Sequence, residues 1–207
     1  MFERRQLLLG FAATMMPGSQ TFEAMAQSAD AGAEAVGTVA NLQGSAIARR
    51  SSNQRNLNSG QQVFVNERLQ TAASSRLHAR LGPATQLFMG ENTRVTIDNH
   101  LVRRGGTIHL GEGAVMFERK DPDPKPNVTI QSPYAQLAVR GTTVFAGPSN
   151  GVFGVFVVLG EVHVSNAGGS VTLRTGEGTN IATPGAKPTS AAIWGDARII
   201  DAMRAVR

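Results

Sequence analysis

Val128-Thr-Ile-Gln-Ser-Pro-Tyr-Ala-Gln-Leu-Ala-Val-Arg-Gly-Thr-Thr-Val-Phe145 is the stretch whose reading decides the fold. Apolar and polar residues alternate along it, break at Ser132-Pro133, and resume into Val139-Arg140-Gly141-Thr142. Alternation of period two is the pattern of a strand with one buried face. The stretch therefore reads as two half-buried strands on either side of a Pro turn. An Arg followed by Gly inside an apolar strand needs a specific reason to be there.

The same rhythm extends outward in both directions. Val36 to Gly44 leads into Ser45 to Arg49, Asn53 to Gly60 reads as a polar loop, and Gln62 to Val65 follows. Leu77, Ala79 and Leu81 alternate with Arg76, His78 and Arg80, giving one apolar and one basic face. Thr85 to Met89, Thr93 to Ile97, Gly106 to Gly111 and Gly113 to Phe117 continue the series. Val152 to Leu159 is the most apolar strand, and Asn166-Ala-Gly-Gly169 turns Val162-His-Val164 into Val171-Thr-Leu173. Gly111-Glu-Gly113 and Gly176-Glu-Gly178 read as turns. The unit Gly-x-apolar-x-apolar recurs at Gly106, Gly160 and Gly169. Asp121-Pro-Asp-Pro-Lys-Pro126 reads as an exposed loop, because alternating Pro excludes helix and strand alike. The expected fold is all-β, with solenoid-like or sandwich stacking of short strands. The period changes after Pro184 and Pro188. Ile193, Ala197, Ile200 and Arg204 fall on one stripe, with Trp194, Ile199, Met203 and Val206 beside it, which predicts a short amphipathic helix from about Ala191. A lone short helix is unstable without packing, so it is expected to dock on the sheet, over an edge or end, with Trp194 as anchor. The other reading of Trp194, Ile199 and Met203 is a partner-docking helix.

Composition removes several function classes. The 207 residues suffice for one domain with a core. There are 23 Gly and no Cys, so thiol catalysis, thiolate metal sites and disulfides are excluded. The net charge of +5 is scattered, without the basic stripe interleaved with aromatics that nucleic-acid binders need, so no nucleic-acid partner is expected. His78, His100, His109 and His163 lack metal-ligand spacing, and His109 and His163 occupy polar strand positions. Neither a Gly-x-Ser-x-Gly elbow nor a phosphate cradle is visible. The expectation is no enzyme, no metal and no cofactor.

Met1 to Ala26 reads as an export signal. Arg4 and Arg5 form the charged region, Leu7 to Met16 the short apolar run, and Ala24-Met-Ala26 the small-x-small cleavage site. Arg-Arg-Gln-Leu-Leu-Leu also resembles a twin-arginine signal, although Glu3 stands where Ser or Thr is usual. The apolar run is well short of the roughly 20 residues that span a bilayer. Residues 27–35 read as a flexible mature N-terminus, and the mature chain is expected in the periplasm or secreted.

The central stretch resembles the signature of the FecR (ferric-citrate regulator) domain family: Thr-Pro, a small apolar run, Val-Arg-Gly-Thr, then Phe. Here Ser132 precedes Pro133, the core Val139, Arg140, Gly141 and Thr142 is intact, and Thr143-Val144 separate it from Phe145. The order of flanking strands extends the resemblance over residues 36–183, leaving 184–207 as a Pro-containing linker and helix. The resemblance implies a solenoid-like all-β fold and a periplasmic, non-enzymatic, signal-receiving module. Its implied partner is an envelope protein, either a membrane signalling protein or an outer-membrane transporter, without direct sigma-factor contact. The alternative is a structural β-rich envelope protein that binds glycan or peptidoglycan. Arg140 has two readings: a structural cation pinning backbone carbonyls where Gly141 permits a bend, or a contact to a partner or anion. The structural reading is the expected one, because Val139 and Val144 place the motif inside the fold.

Overall fold

A computed structural model describes residues 34–98, 105–119 and 128–207. The export signal 1–26, all but the last two residues of the 27–35 stretch, His100 and the Asp121–Pro126 loop lie outside the described residues.

Eighteen strands and one helix are described. They are β1 (Ala35–Gln43), β2 (Ala46–Arg50), β3 (Asn53–Asn56), β4 (Gln62–Phe64), β5 (Arg68–Thr71), β6 (Arg76–Leu81), β7 (Thr85–Met89), β8 (Arg94–Ile97), β9 (Thr107–Glu112), β10 (Val115–Arg119), β11 (Val128–Gln131), β12 (Gln136–Val139), β13 (Thr143–Ser149), β14 (Val152–Leu159), β15 (Glu161–Asn166), β16 (Gly169–Arg174), β17 (Glu177–Ile181), β18 (Ala192–Ile193) and α1 (Asp196–Val206). Two expectations change. Asn53–Asn56 is a strand rather than a loop, an all-polar edge strand recruited by its ladder to β2. Glu177 and Gly178 open β17 rather than a turn, because pairing with β14 and β18 outweighs the local Gly signal.

The strands form two nine-stranded sheets. The first runs β18-β17-β14-β13-β10-β7-β6-β1-β4, the second β16-β15-β12-β11-β9-β8-β5-β2-β3. Apart from one swap at the N-terminal end, each sheet adds strands in chain order, so the chain winds steadily from one end of a sandwich to the other. Among the described pairings only β9 and β11 are parallel, because between them the chain makes a full turn through β10 in the other sheet.

Alternation makes the core. Leu87 and Met89, Val115 and Phe117, Val144 and Ala146, and Val155 and Val157 point inward from the first sheet. Leu69, Val95, Ile97, Ile108, Leu110, Ile130, Leu137 and Val162 meet them from the second, in one buried cluster. Burying each such side chain contributes about 1.5–3 kcal/mol.

The outer faces of the two sheets differ. On the first sheet, outward Phe88, Met116, Phe145 and Phe156 form a second apolar cluster with Trp194, Ile199, Ala202, Met203 and Val206. Helix α1 thus covers the middle of a sheet face rather than an edge or end. It also sandwiches β10, whose five residues are all buried. The helix begins at Asp196, not near Ala191, because Ala192–Ile193 pairs with β17 as β18. The stripe of Ile193 and Ile200 faces outward, with 74% and 52% of its surface exposed, while the neighbouring positions pack. The pattern of small residues explains the choice. Trp194 lies in a slot over Gly154 and Gly178, where an added Cβ at Gly154 would come 2.8 Å from the indole. Phe156 stacks on the indole at 5.0 Å, Phe145 meets its edge at 6.4 Å, and the Arg198 guanidinium lies 3.5 Å above it. Arg198 also donates to Ser149 Oγ at 2.9 Å and Asn180 Oδ1 at 2.7 Å.

Candidate functional site

The signature residues make the crossing between the two sheets. Ser132 closes the β11–β12 hairpin: its hydroxyl accepts from the amides of Tyr134 and Ala135 at 3.2 and 3.1 Å and donates to the Ala135 carbonyl at 3.0 Å. That fixes the turn around exposed Pro133 without help from a Thr methyl. At the far end of β12, Val139 is core, set between Val128 and Val162. Gly141 then adopts φ +59°, a left-handed conformation that suits Gly, and the chain passes to the first sheet. Thr142 is buried, and its carbonyl accepts from the Arg119 amide at 3.1 Å. Val144 enters the core, and Phe145 lies under α1 against Trp194.

Arg140 does not pin the junction. It is exposed, and among the described residues it makes no hydrogen bond or ion pair. The bend is held by Gly141 and by the ladders on either side, so a guanidinium clamp is not needed. The buried Thr142 Oγ1 is also without a hydrogen-bond partner. Of the nearby polar groups, one is a solvated cation and the other an orphaned hydroxyl.

An apolar surface adjoins this crossing. Thr143 pairs with Leu159 and Val144 with Val157, so a bulge leaves Val158 as the extra residue. Bulges bend a strand and re-aim its side chains. Here Val158 and Leu159 are 38% and 55% exposed. Gly160 packs so closely on the Thr142 side chain that a Cβ there would collide with it, and the Gly160 amide donates to Thr175 Oγ1 at 2.9 Å. The Gly176 amide donates to the Val157 carbonyl at 2.8 Å, and Ile193 stands over Gly176. Arg140, Leu159, Val158 and Ile193 are thereby brought to one end of the sandwich. They are a cation without a partner among the described residues and three exposed aliphatic side chains, with no nucleophile–base pair among them. Sequence reading singled out Arg140 but missed Leu159 and Val158, because a continuous apolar run gives no sign of a bulge.

The remaining expected site residues lie apart from this surface. Pro133 lies at the opposite end of the hairpin, in a cleft of about 460 Å³ that Tyr134, Phe153, Pro148 and Pro184 also line, with Tyr134 stacked on Phe153 at 4.5 Å. Trp194, Ile199 and Met203 face the first sheet and are taken up by α1 packing. His109 and His163 are exposed on the second sheet. Among the described residues no group of three or more His, Cys, Asp or Glu side chains converges to hold a metal. His78 stacks on Phe88 at 4.2 Å, its Nε2 lies 2.9 Å from Gln86 Oε1, and burial lowers its pKa from 6.5.

A family model described as "FecR protein" matches residues 67–163, slightly less than half the chain. That span holds β5 to β14 and the whole Val139–Phe145 crossing, but the sandwich continues on both sides of it. No curated protein matches the chain by sequence. Two crystal structures, at 2.50 and 1.65 Å resolution, of a "putative anti-sigma factor" from Parabacteroides distasonis ATCC 8503 resemble the fold, each with a TM-score of 0.54 at 12% identity. In each case 64% of this chain is covered, and 62% of the other. At that identity the likeness concerns the fold alone.

Proposed function

We propose that this chain, which carries a FecR domain, is a signalling-related module of the cell envelope that works by binding another protein. It acts without catalysis, and its contact surface is the end of the sandwich where β12 crosses to β13. The observation that carries this reading is the state of Arg140. The family signature positions it through Val139 and Gly141, yet leaves its guanidinium without a partner among the described residues, at the same end of the sandwich as exposed Leu159 and Val158. A cation with no structural duty, next to an apolar patch, fits a partner that presents a carboxylate next to an apolar side chain. The leader-like residues 1–26 place the working chain beyond the cytoplasmic membrane in this proposal. There its partner is a membrane signalling protein or an outer-membrane transporter rather than a cytoplasmic sigma factor.

The test is site-specific photo-crosslinking in cells, with the reactive group at Leu159 or, as reference, at Arg80 on the first sheet. The expected result is capture of one identified envelope protein from Leu159 only, lost in an Arg140→Glu background. Equal capture from both positions, or capture insensitive to Arg140→Glu, would overturn the proposal.

A further inference from the structure

The outer face of the second sheet carries an unbroken row of polar residues, one from every strand. Cross-strand pairing runs Gln54–Arg49, Arg49–Arg68, Arg68–Thr96, Thr96–His109, His109–Gln131, Gln131–Gln136, Gln136–Ser165 and Ser165–Ser170. Each of these residues alternates with a buried neighbour on its own strand or lies on the outward side of an edge strand, so the side chains project from one face. At the usual strand spacing the row is roughly 38 Å long. A second row lies beside it, Thr107–Thr129–Ala138–His163–Thr172. No described helix covers this face, whereas α1 covers the first sheet.

Two features of the row point to a ligand. The first is charge. The only acidic residues on these nine strands are Glu112 and Glu161, and each is already paired, with Arg94 at 3.4 Å and Arg174 at 3.3 Å. Arg49 and Arg68 are left as the surplus, directly opposite each other. Like charges in opposed positions destabilise a sheet. Arg49 donates to Gln54 Oε1 at 2.6 Å, and Arg68 has no hydrogen bond or ion pair among the described residues. No described acid separates the two cations, and an anion laid between them would relieve their repulsion. The second is the kind of polar group that continues the row. Amides, hydroxyls and imidazole both donate and accept, which suits a ligand rich in hydroxyls. None of the nine strands contains an aromatic residue. That removes the stacking platforms on which single-stranded nucleic acid depends.

We propose that this face binds an acidic polysaccharide, a chain of sugars bearing carboxylates, laid across the strands with its acidic groups at Arg49 and Arg68 and its hydroxyls along Gln54, Thr96, His109, Gln131, Gln136 and Ser165. The site is separate from the crossing at Arg140, so the chain can hold a matrix polymer on one face and a protein at one end.

The experiment measures binding of the purified full chain to alginate, to neutral dextran of similar length, and to a mixed-sequence single-stranded oligonucleotide, at low and raised salt. Alginate is expected to bind most tightly and to weaken as salt is added. Each of Arg49→Gln and Arg68→Gln is expected to weaken it about tenfold, as loss of a charge-assisted hydrogen bond does. Arg80→Gln removes the same charge from the first sheet and leaves alginate binding unchanged. Gln131→Ala with Gln136→Ala weakens alginate at constant charge. The proposal fails if alginate does not bind at low salt, if Arg80→Gln weakens binding as much as Arg68→Gln, or if the oligonucleotide binds more tightly than alginate. Alginate binding and crosslinking from Leu159 are read separately, so a failure here is distinct from a failure of the protein-binding surface.

Discussion

Replacing Gly178 by Ala tests the packing that fixes α1 on the first sheet. A Cβ built at Gly178 collides with Nε1 and Cε2 of Trp194 and comes 2.7 Å from the Val155 carbonyl. The indole has nowhere to retreat: Phe156 stacks on it, Phe145 closes its edge, and Arg198 covers it. Forcing one carbon into such a site costs about 1–3 kcal/mol. If the indole leaves its slot altogether, the loss approaches the roughly 3–5 kcal/mol of a Trp→Ala change. For a domain of this size each kcal/mol is about 2–4 °C in Tm, so Gly178→Ala should melt at least a few degrees lower. Because Trp194 is the single Trp of the chain, its fluorescence reports the slot directly. Emission should shift to the red and become quenchable by iodide in the variant, while far-UV circular dichroism keeps its β character. Unchanged emission together with an unchanged Tm would refute the claim that the glycines exist to seat the indole.

Three further outcomes are expected. Burial, with help from Arg80 and Arg207, lowers the His78 pKa from 6.5 against the opposing pulls of Gln86 and Glu118, so the fold favours the neutral ring. The stability this contributes is present above pH 6.5 and lost as pH falls through the lower folded value; wild type should therefore lose more Tm between pH 7 and 5 than His78→Gln does. Thr142→Val replaces a buried hydroxyl that has no partner, so it should be neutral or stabilising in a urea titration, and a clear loss of stability would show that the hydroxyl is satisfied in solution. Arg68→Gln relieves the repulsion with Arg49 and should raise stability by about 0.2–1 kcal/mol in the same assay; a lower stability would mean that the two cations are not in conflict.

Most of the strands were legible in the sequence because one face of each is buried. The alternation of Leu77, Ala79 and Leu81 with Arg76, His78 and Arg80, or of Val128 and Ile130 with Thr129 and Gln131, records that partition residue by residue. Asn53–Asn56 was not legible, since an edge strand buries almost nothing and owes its form to the ladder beside it. The Val158 bulge was hidden for the opposite reason: in an apolar run neither face stands out. The family resemblance located Val139 to Phe145 correctly as a unit, but the role expected for Arg140 followed from its apolar neighbours and not from where its own side chain points.

The sequence by itself determined the all-β class, the hairpin at Ser132-Pro133, the bend at Gly141 and the presence of a terminal helix, because period and turn chemistry are local properties. Only the tertiary structure decided which stripe of that helix is inside. Ile193 and Ile200 are as apolar as Ile199 and Met203, and the choice between them rests on a slot made by Gly154 and Gly178, residues distant along the chain. The same holds for the polar row on the second sheet. Gln54, Arg49, Arg68, Thr96, His109, Gln131, Gln136, Ser165 and Ser170 are scattered over more than half the sequence, and strand register alone sets them side by side.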